Sequence, residues 1–390
     1  MRNNIPYGRQ YLDKADIELV SKSLQGSLIT TGKFVKKFEN KVSNFLKVKN
    51  AISCNSGTAA LHLAFLASDI KKNDIIVMPA INFISAYSMC KQLGAKIYLA
   101  DVDFETGQMT PKTLLKCIKI NKIKKIKIIL TMYMGGFPEN LLEFYKIKKK
   151  FKCLLIEDAC HAFGSEYKFN RKLIKVGACK HSDISTFSFH PLKPITTGEG
   201  GIITTNNQLI AKKIKNFRSH GIIRDHKFHW KYNIFNSGYN YRLSDINSAL
   251  GLSQLKKIKI FFKNRKKIYE YYKTELHKYK NIISFPEYDK RNKPSYHLVL
   301  ININFKKLKS NKDLFLKYLQ SKNIISQFHY IPIYKFTLYN NKKIKLKSSE
   351  EYFKSTLSIP IYHKFDREKQ NKVIKNIKKF IILKKINRLF

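Results

Sequence analysis

Arginine is scarce in this 390-residue chain: ten residues, against 65 lysines. Acids are scarce too, 27 against 75 bases, so the formal net charge is +48. Such a charge alone is the footprint of a nucleic-acid or membrane-surface binder. Base readout, however, leans on the bidentate guanidinium, and here lysine carries the charge, alongside abundant isoleucine and asparagine. The basic runs at 119–127, 146–152, 341–347 and 372–385 are scattered, many at helix-like spacing. They read as solvated surface, and no nucleic-acid partner is expected. Long apolar runs are also missing. Stretches such as 128–130 and 153–156 fall far short of the roughly 20 residues of a membrane span. The first seven residues hold no apolar signal region, so secretion is not expected. The six cysteines, at 54, 90, 117, 153, 160 and 179, form no CxxC pair. Dispersed in a chain this long, they fit the reduced thiols of a cytoplasmic protein, and no metal set is read. Proline and glycine number only 10 and 16, without period, which excludes a collagen-like repeat and a Pro-rich linker.

What the chain does have is material for a core: 44% hydrophobic residues, 13% aromatic. Short apolar strands at 75–78, 96–100, 126–130, 154–157, 184–189 and 201–204 alternate with helical patterns at 58–67, 84–93, 111–119 and 139–150. Such alternation means βα units and a largely parallel sheet covered on both faces. Ligands of such sheets sit at the carboxyl ends of the strands. A second pattern starts near 243, with two helices expected over 243–256 and 258–279. A strand (297–303), a helix (311–321), a strand (324–330) and a final helix (367–383) follow. The expected division is a large unit over 1–250, with an N-terminal arm at 1–30, and a smaller α+β unit over 251–390 that includes the connecting helix.

Three motifs carry chemistry. At 55–61 a small-residue turn opens into a helix; Ser56, Gly57 and Thr58 read either as an anion site or as an ordinary N-cap. At 154–162 a buried-looking strand runs into Glu157, Asp158 and His161. A carboxylate there is expensive unless it meets a cation or a donor, and a helix cap or surface acid is the plainer reading. At 185–201 a strand ends in a loop with one lysine, Lys193, between Pro191 and Pro194 and before a Gly-rich turn. A lysine desolvated at the sheet's ligand edge can have its pKa lowered and attack a carbonyl. Anion site, acid and lysine together match what pyridoxal 5′-phosphate (PLP) requires: a phosphate site, an acid for the ring nitrogen and a lysine for the aldehyde.

At these motifs the sequence resembles the DegT/DnrJ/EryC1/StrS sugar-nucleotide aminotransferases, across essentially the whole chain. The shared strings are 28–32 followed by Phe38 and Glu39, then 56–61, 157–167, 187–201, 218–222 and 238–255. The resemblance implies the type I PLP-dependent (aspartate-aminotransferase-like) α/β fold. It implies Lys193 as the catalytic lysine that holds PLP and Asp158 as the partner of its ring nitrogen. Gly57, Thr58 and Ser188 would hold the phosphate. His161 would sit near the phenolic oxygen, or be a structural strand-end histidine; Phe83 would stack on the ring, or be core packing. Asn240 would reach the phosphate from a neighbouring subunit, which implies a homodimer with shared active sites. Tyr7 and His329 are candidates for the sugar pocket. The strings at 5–10, 193–197 and 328–334 point to one branch of the family. That branch aminates a UDP-linked 4-keto-6-deoxy-N-acetylhexosamine with L-glutamate as donor, forming UDP-4-amino-4,6-dideoxy-N-acetyl-β-L-altrosamine for pseudaminic acid. A different keto-sugar nucleotide, of bacillosamine or perosamine type, is the alternative. The dehydratase variant, with histidine in place of the lysine, is disfavoured by Lys193. A non-catalytic nucleic-acid-binding protein on the same fold would have damaged cofactor motifs, and these are intact.

Overall fold

A computed structural model describes residues 4–225, 227, 228, 230–341 and 343–386. The first three residues of the expected arm, Lys342 of the basic run 341–347 and the last four residues of the chain lie outside them.

Helices α1 (Lys14–Leu24) and α2 (Lys33–Leu46) precede the sheet. Strands β1 (Asn50–Cys54), β2 (Ile75–Pro79), β3 (Lys96–Ala100), β4 (Ile128–Met132) and β5 (Leu154–Asp158) follow, with α3 (Gly57–Ala67), α4 (Ile84–Gln92), α5 (Pro111–Ile120) and α6 (Leu141–Phe151) between them. A hairpin of β6 (Glu166–Phe169) and β7 (Lys172–Lys175) leads to β8 (Ile184–Ser188), β9 (Gly201–Thr205) and α7 (Gln208–Arg218). The main sheet has seven strands in the order β1-β9-β8-β5-β4-β2-β3. Only β9 runs against its neighbours; the other pairs are parallel. Because side chains alternate along a strand, the sheet has two packed faces. Val77, Ile129, Leu155 and Phe187 pack with α2, α5 and α6. Ile76, Ile128, Ile156 and Ile184 pack with α3, α4 and α7.

The βα expectation holds in order and type, with ends shifted by a residue or two. Strand β1 had no counterpart in the expectation. Its sequence, Asn-Ala-Ile-Ser-Cys, lacks a β-branched run, and it is ordered by pairing along β9.

Beyond the sheet, β10 (Ile222–Arg224) and β11 (Tyr232–Ile234) form a second hairpin. The two helices expected over 243–279 are one, α8 (Asp245–Leu276), ending in a 3₁₀ turn. Nothing at 256–258 breaks a helix: there is no proline, and lysine is a good helix former. The expected division at 250 falls inside α8. A second core gathers around β12 (Ile283–Ser284), β13 (Val299–Ile303) and β14 (Thr356–Ile359), with α9 (Lys312–Ser321), α10 (Lys347–Ser355) and α11 (Arg367–Ile386) alongside. Ile5, at the start of the chain, is buried in this second core. The strand expected at 324–330 is an irregular segment held by single bridges, Ile324 to Ile5 and Gln327 to Ser358. Strand β14 takes the place beside β13 instead.

Candidate active site

The carboxyl ends of β1, β2, β4, β5 and β8 converge on a cavity of about 290 Å³. Asp158 is the last residue of β5. It shares a face with Ile156, the face that carries α3, while Glu157 turns to the other. Ser188 ends β8 on the same face as Ile184. Helix α3 opens into this space with Ser56 as N-cap, its hydroxyl accepting the Ala59 N–H at 3.0 Å. The hydroxyl is thus a cap, as the N-cap reading has it; the first N–H groups of a helix have no intrahelical acceptor. Gly57 is needed for the close approach, since a Cβ there would meet Ser188 Cβ at 2.7 Å.

The cavity is lined by Tyr7, Gly57, Thr58, Phe83, Asp158, His161, Ser188, Lys193 and His329. The candidates are thus together with the exception of Asn240. Asn240 is exposed. Its backbone carbonyl accepts from Asn55 Nδ2 at 3.4 Å, in a segment docked on the turn between β1 and α3 through Asn55 N–H to Tyr241 O at 2.9 Å. Phe83 is 52% exposed, which removes the core-packing reading; its ring meets Tyr330 edge-on at 5.7 Å.

Electrostatics follow from burial. Desolvation lowers the Lys193 pKa, opposed by Cys160 and Asp158. It raises that of Asp158, opposed by Cys160, Lys193 and Asn82. Three histidines crowd one wall and are held neutral. His161 and His297 lie well below the ordinary value through desolvation, and the positive field of Lys193 adds to this in both. His329 is pushed down to about 3 by burial and then by Lys193. The His161 ring lies 4.4 Å from that of His297. Its Nε2 meets the Tyr330 hydroxyl at 2.9 Å, and its Nδ1 is buried without a partner. His329 Nδ1 meets Ser358 Oγ at 2.9 Å, with Tyr7 5.7 Å from its ring.

The chain matches the DegT/DnrJ/EryC1/StrS aminotransferase family over residues 10–378. It belongs to that family. It is 35% identical over 388 residues to the UDP-4-amino-4,6-dideoxy-N-acetyl-β-L-altrosamine transaminase of Campylobacter jejuni serotype O:23/36, covering 98% of this chain and 99% of that one. It is 29% identical to the GDP-perosamine synthase of Escherichia coli O157:H7, covering 96% and 98%. Among solved structures, PseC of Helicobacter pylori, described as an aminotransferase of pseudoaminic acid biosynthesis, superposes with a TM-score of 0.89 at 30% identity, covering 97% and 99%. The fold is accordingly the type I aminotransferase fold, and the protein is an aminotransferase.

Several residues at the cavity were not singled out by sequence. Asn82, His297 and Tyr330 line it, and the first and last adjoin named candidates, Phe83 and His329. Two shared strings have a structural role: Glu39 and Arg218 pair at 2.7 Å, and Glu39 also accepts from Ser53 N–H at 2.8 Å. This ties α2 and α7 to β1, just before the α3 turn.

Proposed function

We propose that the protein is a PLP-dependent aminotransferase that transfers the amino group of L-glutamate to C4 of a UDP-linked 4-keto-6-deoxy-N-acetylhexosamine, the altrosamine-forming step toward pseudaminic acid. One observation carries the cofactor reading. A lysine and an acid, both desolvated, share a cavity with the N-terminus of α3, whose first glycine lets Ser188 close against it. His161, whose Nδ1 has no partner among the described residues, and the Ser188 hydroxyl and first-turn N–H groups of α3 at the cavity are polar groups of the kind an aromatic phosphate cofactor needs, so the residues fit the group.

When bound, PLP supplies an aldehyde that takes up the amino group and a ring that draws electrons from the carbon bearing it. Lys193 Nζ holds that aldehyde. Once displaced, it would be the base that moves a proton from the amino-bearing carbon of the donor to the cofactor's C4′ and, in the second half-reaction, from C4′ to C4 of the sugar. Asp158 keeps a proton on the ring nitrogen. Gly57 and Thr58 N–H groups and the Ser188 hydroxyl hold the phosphate. His161, neutral, donates toward the phenolic oxygen, and Phe83 covers the ring. Tyr7 and His329 face the sugar. Asn240 completes the phosphate site of a second copy, making a cytoplasmic homodimer. Residues 1–250 act as the cofactor-holding unit, with 251–390 as the smaller one.

The name of the Campylobacter relative supports the UDP-sugar, and that of the Helicobacter structure the pseudaminic acid route; the perosamine-type reading rests on the 29% relative. The test is incubation of the purified protein with PLP, L-glutamate and a panel of UDP-, GDP- and dTDP-linked keto sugars, with products identified by mass spectrometry and NMR. Amination of the UDP-linked 4-keto sugar alone is expected. Amination of the GDP sugar alone would overturn the substrate assignment, and no amination of any would overturn the function.

A further inference from the structure

Asn82 sits between the carboxyl end of β2 and helix α4, only 1% exposed and on the cavity wall. Its Oδ1 accepts the Phe83 N–H at 2.7 Å. A backbone N–H can only donate, so the amide cannot be turned over: Oδ1 faces Phe83 and Nδ2 faces away from it. That Nδ2 has no hydrogen-bond partner among the described residues, although a buried donor left alone is costly. Asp158 lines the same cavity, and Asn82 opposes the rise that burial imposes on its pKa. Asp158 is otherwise held from one residue only, Cys160: Oδ1 accepts its N–H at a long 3.3 Å, and its side chain also acts on the carboxylate. A further neutral donor from another element would fix which oxygen the carboxylate presents.

We propose that Asn82 is the positioning residue for Asp158, its amide bridging the Phe83 backbone and the Asp158 carboxylate so that ring cover and acid are set as one unit. This rests on the roles given to Asp158 and Phe83 above. It explains why a polar side chain is buried where β2 ends.

The test uses the full-length protein, wild type against Asn82→Ala and Asn82→Asp, with Asp158→Asn alongside. Titrating apoprotein with PLP reads the dissociation constant; titrating holoprotein with acid reads the pH response of the cofactor's visible absorbance. Asn82→Ala removes a donor to a carboxylate, so the Asp158 pKa rises and the response moves to higher pH. Lys193, Cys160 and Tyr330, the other ionisable groups acting on Asp158, are unchanged in the variant. The dissociation constant should rise by about tenfold, as expected for one charge-assisted hydrogen bond. The fall should be in kcat, with KM for glutamate within about twofold. Asn82→Asp keeps shape and the bond to Phe83 but sets a second carboxylate against Asp158. Its pH response should move further up than that of Asn82→Ala. In the Asp158→Asn background, Asn82→Ala should add less than about twofold, because the two act as one unit. Wild-type affinity and pH response in both variants, or full additivity with Asp158→Asn, overturns the proposal. If Asp158→Asn itself changes nothing, the role of Asp158 has failed instead, and the two failures are told apart.

Discussion

Lys193 and Asp158 are shifted toward each other, the amine down and the carboxyl up, with desolvation the larger cause in both. Each charge opposes the shift of the other. A pair poised in this way is suited to proton movement, and a buried amine without it would be a liability. Lys193→Ala should leave no measurable turnover and no protein-bound cofactor after borohydride reduction, while the thermal midpoint stays within a few degrees of wild type. Cofactor fixed to any other lysine would sink the assignment. Asp158→Asn keeps the shape and loses the charge, and kcat should fall on the order of 100-fold; near-wild-type turnover with cofactor bound would refute the role. These two residues were legible because local sequence marks them, one by flanking prolines and a glycine turn, the other by the end of an apolar strand. Asn82, His297 and Tyr330 carry no such mark. They become visible only when the loop after β2, the loop before β13 and the segment after α9 meet over one cavity.

At the level of elements, helix α2 has no cap of its own, since Gly32 stands at its N-cap. The cap comes from Asp245, the first residue of α8. Its carboxylate accepts from Gly32 N–H at 2.6 Å and Phe34 N–H at 2.7 Å and is fully buried. An acid at a distant helix start thus supplies both the missing acceptor and the charge that suits a helix N-terminus. Asp245→Ala should destabilise the protein by about 2–3 kcal/mol, a drop of several degrees in thermal midpoint by calorimetry; Asp245→Asn, which keeps one acceptor, should cost less. A loss under about 0.5 kcal/mol would mean that water replaces the cap. This contact also shows where sequence reading stopped. Both strings that make it, 28–32 and 238–255, were recognised, but a cap spanning 213 positions leaves no periodicity to read. The same limit explains the segment at 324–330, which has strand composition while β14 holds the sheet edge.

For the whole molecule, a net charge of +48 weighs against the proposed homodimer. Like charge opposes association, most strongly at low salt. Against it stands apolar surface on the hairpin of β10 and β11: Trp230, Tyr232, Ile234 and Phe235 are 62%, 59%, 52% and 67% exposed, a cluster that a monomer would hide or use. This hairpin leads directly to Asn240. If a second copy covers it, burying on the order of 2,000 Å² in an obligate interface, apolar contact outweighs the repulsion. The protein should then sediment as a dimer at micromolar concentration even in low salt. On the proposed role of its exposed side chain at the partner's phosphate site, Asn240→Ala should weaken cofactor retention without dissolving the dimer. Mixing gives the sharper test. Combine Asn240→Ala protein with Lys193→Ala protein and allow subunits to exchange. In a mixed dimer with shared sites, the two lesions fall in the same site and leave the other intact. Activity should therefore rise above that of either parent, toward half of wild type per mixed dimer. If exchange is proven by differently tagged chains and no activity returns, Asn240 does not serve the partner's site.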